Sequence, residues 1–117
     1  MAMKLCQPGL KKFEKHYEEH KDKPFFGRIT NWAAQGPVIA MVWEGDYVIS
    51  TGRKIIGATN ALDRNPGTIR GDLSIITQNN LIHGSDSVES ANREIALWFT
   101  EHEQVSWKSN SEKWVYE

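Results

Sequence analysis

The sequence predicts a single domain that mixes helices with a few short strands. Three observations lead there. The chain has 117 residues, a length that suits one hydrophobic core. Hydrophobic residues make up 39% and charged residues 25%, an ordinary globular balance. Short apolar runs alternate with longer stretches of three- and four-residue apolar spacing, so two periods share one chain. No internal repeat, low-complexity tract or linker divides it, and residues 1–117 read as one domain.

Taken in order, "MAMKL" reads as a short strand, broken by "QPG" at Gln7 to Gly9. "LKKFEKHYEEHKDK" places Leu10, Phe13 and Tyr17 on one side of an amphipathic helix, expected to end near His20. "PFFGRITNWAAQG" opens with Pro24, tolerated in a first helical turn, and Gly36 follows the expected helix end. "PVIAMVWEG" is the most apolar segment and reads as a buried strand bounded by Pro37 and Gly45. "DYVISTGRKIIG" reads as a short helix. "ATNALDRNPGTIRGDLSIITQNN" has no clean period, the mark of a functional loop or a disordered one. "LIHGS" reads as a further strand. "SDSVESANREIALWFT" is the clearest helix, with a Val88, Ala91, Ile95, Trp98 stripe and Asp86 as N-cap, Glu89 completing a capping box. "EHEQVSWKSNSEKWVYE" reads as irregular, with aromatics that should pack.

Charge and cysteine usage narrow the function classes. A formal charge of −1 gives no support for general attraction to nucleic acid or to a membrane. Cys6 is the only cysteine, which excludes an internal disulfide and a Cys-rich zinc module. No apolar run approaches the roughly 20 residues of a membrane span. The N-terminus is too short and too weakly apolar for a secretory signal, so the expected location is the cytoplasm.

Chemistry concentrates in "NLIHGSDSVES" and the helix that follows. Glu94 lies beside the apolar stripe, where a desolvated carboxylate wants a donor. His83 sits at the mouth of that helix. A carboxylate on one imidazole nitrogen fixes the tautomer and leaves the other a better nucleophile. The bland alternative is a snorkelling Glu94 and a satisfied edge histidine. Arg53, Arg64 and Arg70, with Thr59, Thr68, Gly67 and Gly71 near them, suit phosphate oxygens. Arginines plus a histidine suggest phosphoryl transfer, although no P-loop or protein-kinase motif set is present. Alternatively, these residues form a solvated loop. "HYEEH", His16 to His20, also matches an inverted zincin pattern, with two histidines on one helix face and Glu19 as base; a solvated helix face explains it as well. Phe25, Phe26 and Trp32 read as core or as a stacking platform, with Phe25 exposed at a helix mouth.

With Asn80-Leu81-Ile82-His83-Gly84-Ser85-Asp86 in view, the chain resembles the nucleoside diphosphate kinase family, whose signature is N-x-x-H-G-S-D and a small residue. "HYEEHKDKPFF", "GPVIAMVWEG", "TGRKIIGATN", "NPGTIRGD" and "WVYE" also match, in the family's order. The resemblance implies an α+β fold: a ferredoxin-like antiparallel sheet with helices on its faces. It implies γ-phosphoryl transfer from a nucleoside triphosphate to a diphosphate, by a ping-pong route through phosphohistidine at His83. Glu94 would orient that ring, with Ser85 beside the glutamate and Tyr17 close to the histidine. Arg53, Thr59, Arg70 and His20 would bind phosphates, Asn80 the sugar, and Phe25 and Thr77 opposite sides of the base. Mg²⁺ is expected on the phosphates without a protein cage. A homo-oligomer, hexamer or tetramer in the family, is expected, with no membrane or nucleic-acid partner. The family also has a strand ending in a Lys-Pro-Asp-Gly-like turn, then a helix, ahead of "AMKL". Nothing here matches them, so the domain is expected to be N-terminally shortened, without the family's first strand and helix. The alternative function is a catalytically impaired nucleotide-binding or assembly module.

Overall fold

The structure, a computed structural model, describes residues 1–77, 79 and 81–116. Strands β1 (Ala2–Cys6) and β2 (Val38–Val42) pair antiparallel, from Ala2 opposite Val42 to Cys6 opposite Val38. Between them run α1 (Leu10–His16), a 3₁₀ turn (Glu18–His20) and α2 (Phe26–Ala33). After β2 come α3 (Val48–Ile56), a 3₁₀ turn (Ala61–Asp63) and α4 (Ile69–Leu73). The chain closes with α5 (Val88–Trp98), a 3₁₀ turn (Glu101–Glu103) and α6 (Glu112–Val115).

The core is built where α1 meets α5. Phe13, on the predicted stripe of α1, is buried, and its ring meets Trp98 edge-on at 5.5 Å between centroids. Phe99, just past α5, is also buried, and Lys4 of β1 lies over its ring at 4.8 Å. Phe99 thereby anchors the sheet to the helical layer. Arg93 of α5 donates to the carbonyls of Lys15 and His16 at 3.3 and 3.2 Å, satisfying the open end of α1.

Several expectations need correction. α1 stops at His16, and the next turn is 3₁₀, so His16 and His20 do not share one α-helical face. β2 is not buried on both sides: side chains alternate half-buried and exposed, with Ile39 and Met41 exposed opposite Leu5 and Met3. "LIHGS" forms no strand. Its carbonyls are held by arginines instead of a ladder: Arg70 reaches the Ile82 oxygen at 2.6 Å and Arg53 the Gly84 oxygen at 2.7 Å. Leu81 enters the segment at φ 67°, which a continuous strand does not allow.

The N-cap of α5 is Ser87, whose hydroxyl accepts from the Ser90 amide at 3.1 Å; Asp86 lies one residue outside. The aperiodic loop holds the Ala61–Asp63 turn and α4, the latter capped by Thr68. Gly57 ends α3 at φ 97°, and a Cβ there would stand 2.5 Å from the Thr68 hydroxyl, so glycine is required for this close approach. Trp107, Trp114 and Tyr116 are exposed, against the expectation that the terminal aromatics pack.

Candidate active site

Four of the residues buried in the described chain are polar: His16, Thr30, Arg70 and Glu94. Charged groups are rarely buried without partners, so each needs an account. Thr30 satisfies itself by donating to the Phe26 carbonyl one turn back, at 2.8 Å. The other three surround His83.

Glu94 is 7% exposed, and its carboxylate is shared. Oε1 lies 2.7 Å from His83 Nε2, and Ser85 donates its hydroxyl proton to Oε2. Burial alone would raise the Glu94 carboxyl; the hydrogen bonds from His83 and then Ser85 more than offset it and hold the group below the ordinary carboxylate range. A carboxylate accepts only, so His83 presents Nε2–H to it, and the Nδ1 lone pair is left on an exposed ring. Local sequence builds this: Ser87 starts α5, and Glu94 follows two turns later on the inward face, above the segment holding His83.

The α1 end supplies the next wall. Tyr17 lies 6.4 Å from His83 between ring centroids, and burial, then Glu94, raises its phenol. The sequence alone offers His16 only as a zinc ligand, and Trp98 only as part of a stripe. His16 stands 4.4 Å from the His83 ring, and its Nδ1 accepts from the Trp98 indole N–H at 3.0 Å. A signal was present: His16 lies three residues after Phe13, on the buried side of α1.

On the other side of His83, Arg53 and Arg70 grip the backbone on either side of it. Arg70 also donates to the Thr59 hydroxyl and the Gly57 carbonyl, both at 3.2 Å. Burial, then the neighbouring guanidinium of Arg53, lowers Arg70, so an anion here would relieve the site. A groove of about 320 Å³ carries Arg53, Lys54 and Thr68 on its wall. Arg64 differs from the other two. Its fork is occupied by loop oxygens of Ala58, Thr59 and Ser74 at 2.9–3.2 Å, so it braces the loop.

The remaining expected residues lie further out. His20 and Phe25 pair with each other at 5.8 Å between centroids, at the turn joining α1 to α2. Phe25 is exposed, and the buried His20 Nδ1 has no hydrogen-bond partner among the described residues. Thr77 accepts from the Ala61 amide at 3.0 Å, tying the two ends of the loop together. Asn80 lies outside the described residues.

Comparison with known proteins identifies the family. The family profile described as nucleoside diphosphate kinase matches residues 1–104. The nucleoside diphosphate kinase of Aspergillus fumigatus is 54% identical over the whole chain, which spans 76% of it. Human nucleoside diphosphate kinase 3 is 52% identical, again over the whole chain and 69% of the relative. Among solved structures, the halophilic nucleoside diphosphate kinase from Halobacterium salinarum in complex with CDP superposes with a TM-score of 0.92 at 44% identity, covering 99% of this chain and 78% of that one. The fold is thus α+β of the ferredoxin-like kind, in the class of nucleotide phosphotransferases. More narrowly, the chain belongs to the nucleoside diphosphate kinase family.

Proposed function

We propose that the protein moves the γ-phosphoryl group of a nucleoside triphosphate onto a nucleoside diphosphate in two half-reactions, through a phosphohistidine on His83. The observation that carries this is the 2.7 Å contact between His83 Nε2 and Glu94, which leaves Nδ1 as the attacking atom. The Nδ1–P bond forms as the bond from the γ-phosphorus to the β-phosphate oxygen breaks, and the diphosphate leaves. A second diphosphate then takes the group back by the reverse displacement. Glu94 stays anionic and balances the charge that the ring gains once Nδ1 is phosphorylated; Ser85 holds its second oxygen.

Arg53, Arg70 and Thr59 supply phosphate contacts in this reading, with Tyr17 beside the histidine and His20 at the far end. Phe25, by its exposure, suits one face of the base, Thr77 the other, and Asn80 the sugar. The H. salinarum relative is in complex with CDP, which supports a nucleotide as the ligand of this family member. The donor set fits Mg²⁺ carried by the nucleotide: the Glu94 carboxylate is committed to His83 and Ser85, which leaves the ion to phosphate oxygens. Mg²⁺ would supply charge neutralisation of the phosphates there. We read residues 1–117 as a single family domain, acting in the cytoplasm as a homo-oligomer (hexamer or tetramer) with no membrane or nucleic-acid partner; light scattering on purified protein tests the assembly.

A second reading has its own observation. Arg53 and Arg70 bond the chain's own carbonyls, which favours a nucleotide-binding or assembly module with impaired turnover. Incubation with ATP labelled at the γ-phosphate and Mg²⁺ separates the two. Turnover predicts acid-labile, base-stable phosphate on the protein, absent in His83→Ala. Folded wild type that binds nucleotide and takes up no label supports the module.

A further inference from the structure

We propose that His16 is a positioning residue: with its tautomer set by Trp98, its neutral ring holds the Glu94 carboxylate on His83. This rests on the reading of His83 above. The indole N–H is a donor only, so His16 Nδ1 must be the acceptor in their 3.0 Å bond. The neutral ring then carries its proton on Nε2, the atom 3.8 Å from Glu94 Oε1. That oxygen thus takes a hydrogen bond from His83 at 2.7 Å and has the His16 N–H nearby as a longer, electrostatic contact at 3.8 Å, while Oε2 faces Ser85.

His16 is itself fixed from α5 at two points. Trp98 holds the ring and Arg93 the backbone carbonyl, at 3.2 Å. The groups facing it are His83, Glu94, Arg93 and the Tyr17 ring. With the ring 6% exposed, burial and then His83 lower its pKa, so it contributes a dipole and no competing charge. A charged His16 would draw Glu94 away from His83.

The same three side chains invite a rival assignment. Ligand atoms of His16, His83 and Glu94 lie within 4.8 Å of one another, a spacing a transition metal could use. Metal on His16 Nε2 would move the ring proton to Nδ1, where it would face the Trp98 N–H head to head. The indole therefore favours the hydrogen-bonded tautomer over a metal ligand.

Nitrogen-15 NMR of the resting protein at neutral pH should find His16 in the Nε2–H form; the Nδ1–H form overturns the proposal. In nucleotide exchange, His16→Phe should lower kcat about tenfold with KM within about twofold. His16→Gln, which restores an N–H near Glu94, should recover most of kcat. Trp98→Phe, which keeps the ring and removes the donor, should lower kcat about threefold and stands in if His16→Phe does not fold. Unchanged kcat in these variants overturns the proposal, as does one Zn²⁺ bound by wild type and lost in His16→Phe. Wild type that forms no phosphohistidine overturns the earlier reading instead, whereas normal labelling with the wrong His16 tautomer overturns only this one.

Discussion

The surroundings of His83 and the open face of the two-stranded sheet invert the usual arrangement. Around His83, charged and polar groups are buried: Glu94, His16 and Arg70. On the sheet, Met3 opposite Met41 and Leu5 opposite Ile39 stand exposed. The difference shows where order comes from in each region. The site is held by directional bonds between residues far apart in sequence, such as Trp98 to His16 and Arg93 to Lys15. The open sheet face has a ladder and apolar side chains left largely exposed, and an isolated pair of strands is marginal without a covering layer. Substitutions should therefore be severe and specific in the first region, mild in the second.

His83→Ala should break the site outright, lowering kcat for nucleotide exchange by about 10⁴-fold or more with folding intact by circular dichroism. Glu94→Gln keeps the shape and removes the anion, and should cost about 10²-fold in kcat. A Glu94→Gln enzyme with wild-type kcat would show that the buried carboxylate serves packing alone. Arg53→Ala should lower kcat/KM about tenfold, through loss of the phosphate donor proposed above and a released Gly84 carbonyl.

Acid should sharpen the comparison next. His16 is lowered from 6.5 to about 4, so the unfolded chain takes up its proton first and stability falls as pH drops from 6.5 toward 4. Glu94 is lowered from 4.5 to about 2, so its contribution is complete above 4.5 and is lost as pH falls from there toward 2. Urea midpoints between pH 7 and 3 should decline in these overlapping stages, and His16→Gln should remove the upper one. The smallest effect belongs to the sheet. Met3→Thr and Ile39→Thr should change monomer stability by no more than about 0.5 kcal/mol in urea, at protein concentrations where scattering reports a monomer.

Much of this was readable along the chain. The three- and four-residue spacing of Leu10, Phe13 and Tyr17 marked α1, and the run from Val88 to Trp98 marked α5. Both helices bury a continuous stripe, and a stripe is a local pattern. The pairing of His83 with Glu94 is only half legible: helix spacing puts Glu94 beside the apolar stripe of α5, but His83 lies outside that helix, and spacing alone leaves a surface glutamate and an edge histidine equally open. "LIHGS" forms no strand, because extended residues become a strand only with a neighbour, and here the carbonyls meet arginines. Sequence groups Arg64 with Arg53 and Arg70 because residue type does not say which oxygens a guanidinium will meet.

By itself, then, the sequence determined α1, α2, α3 and α5 and the extended runs that become β1 and β2, because each depends on periodicity or composition within one element, while α4 and α6 lay in segments without a clean period. Tertiary structure alone decided that His16 leaves its zinc-like pairing with His20 to join Glu94 and Trp98, and that Arg53 and Arg70 clasp the backbone around His83. Those choices depend on which elements meet in space, and the chain's local pattern carries no record of a partner some 82 residues away.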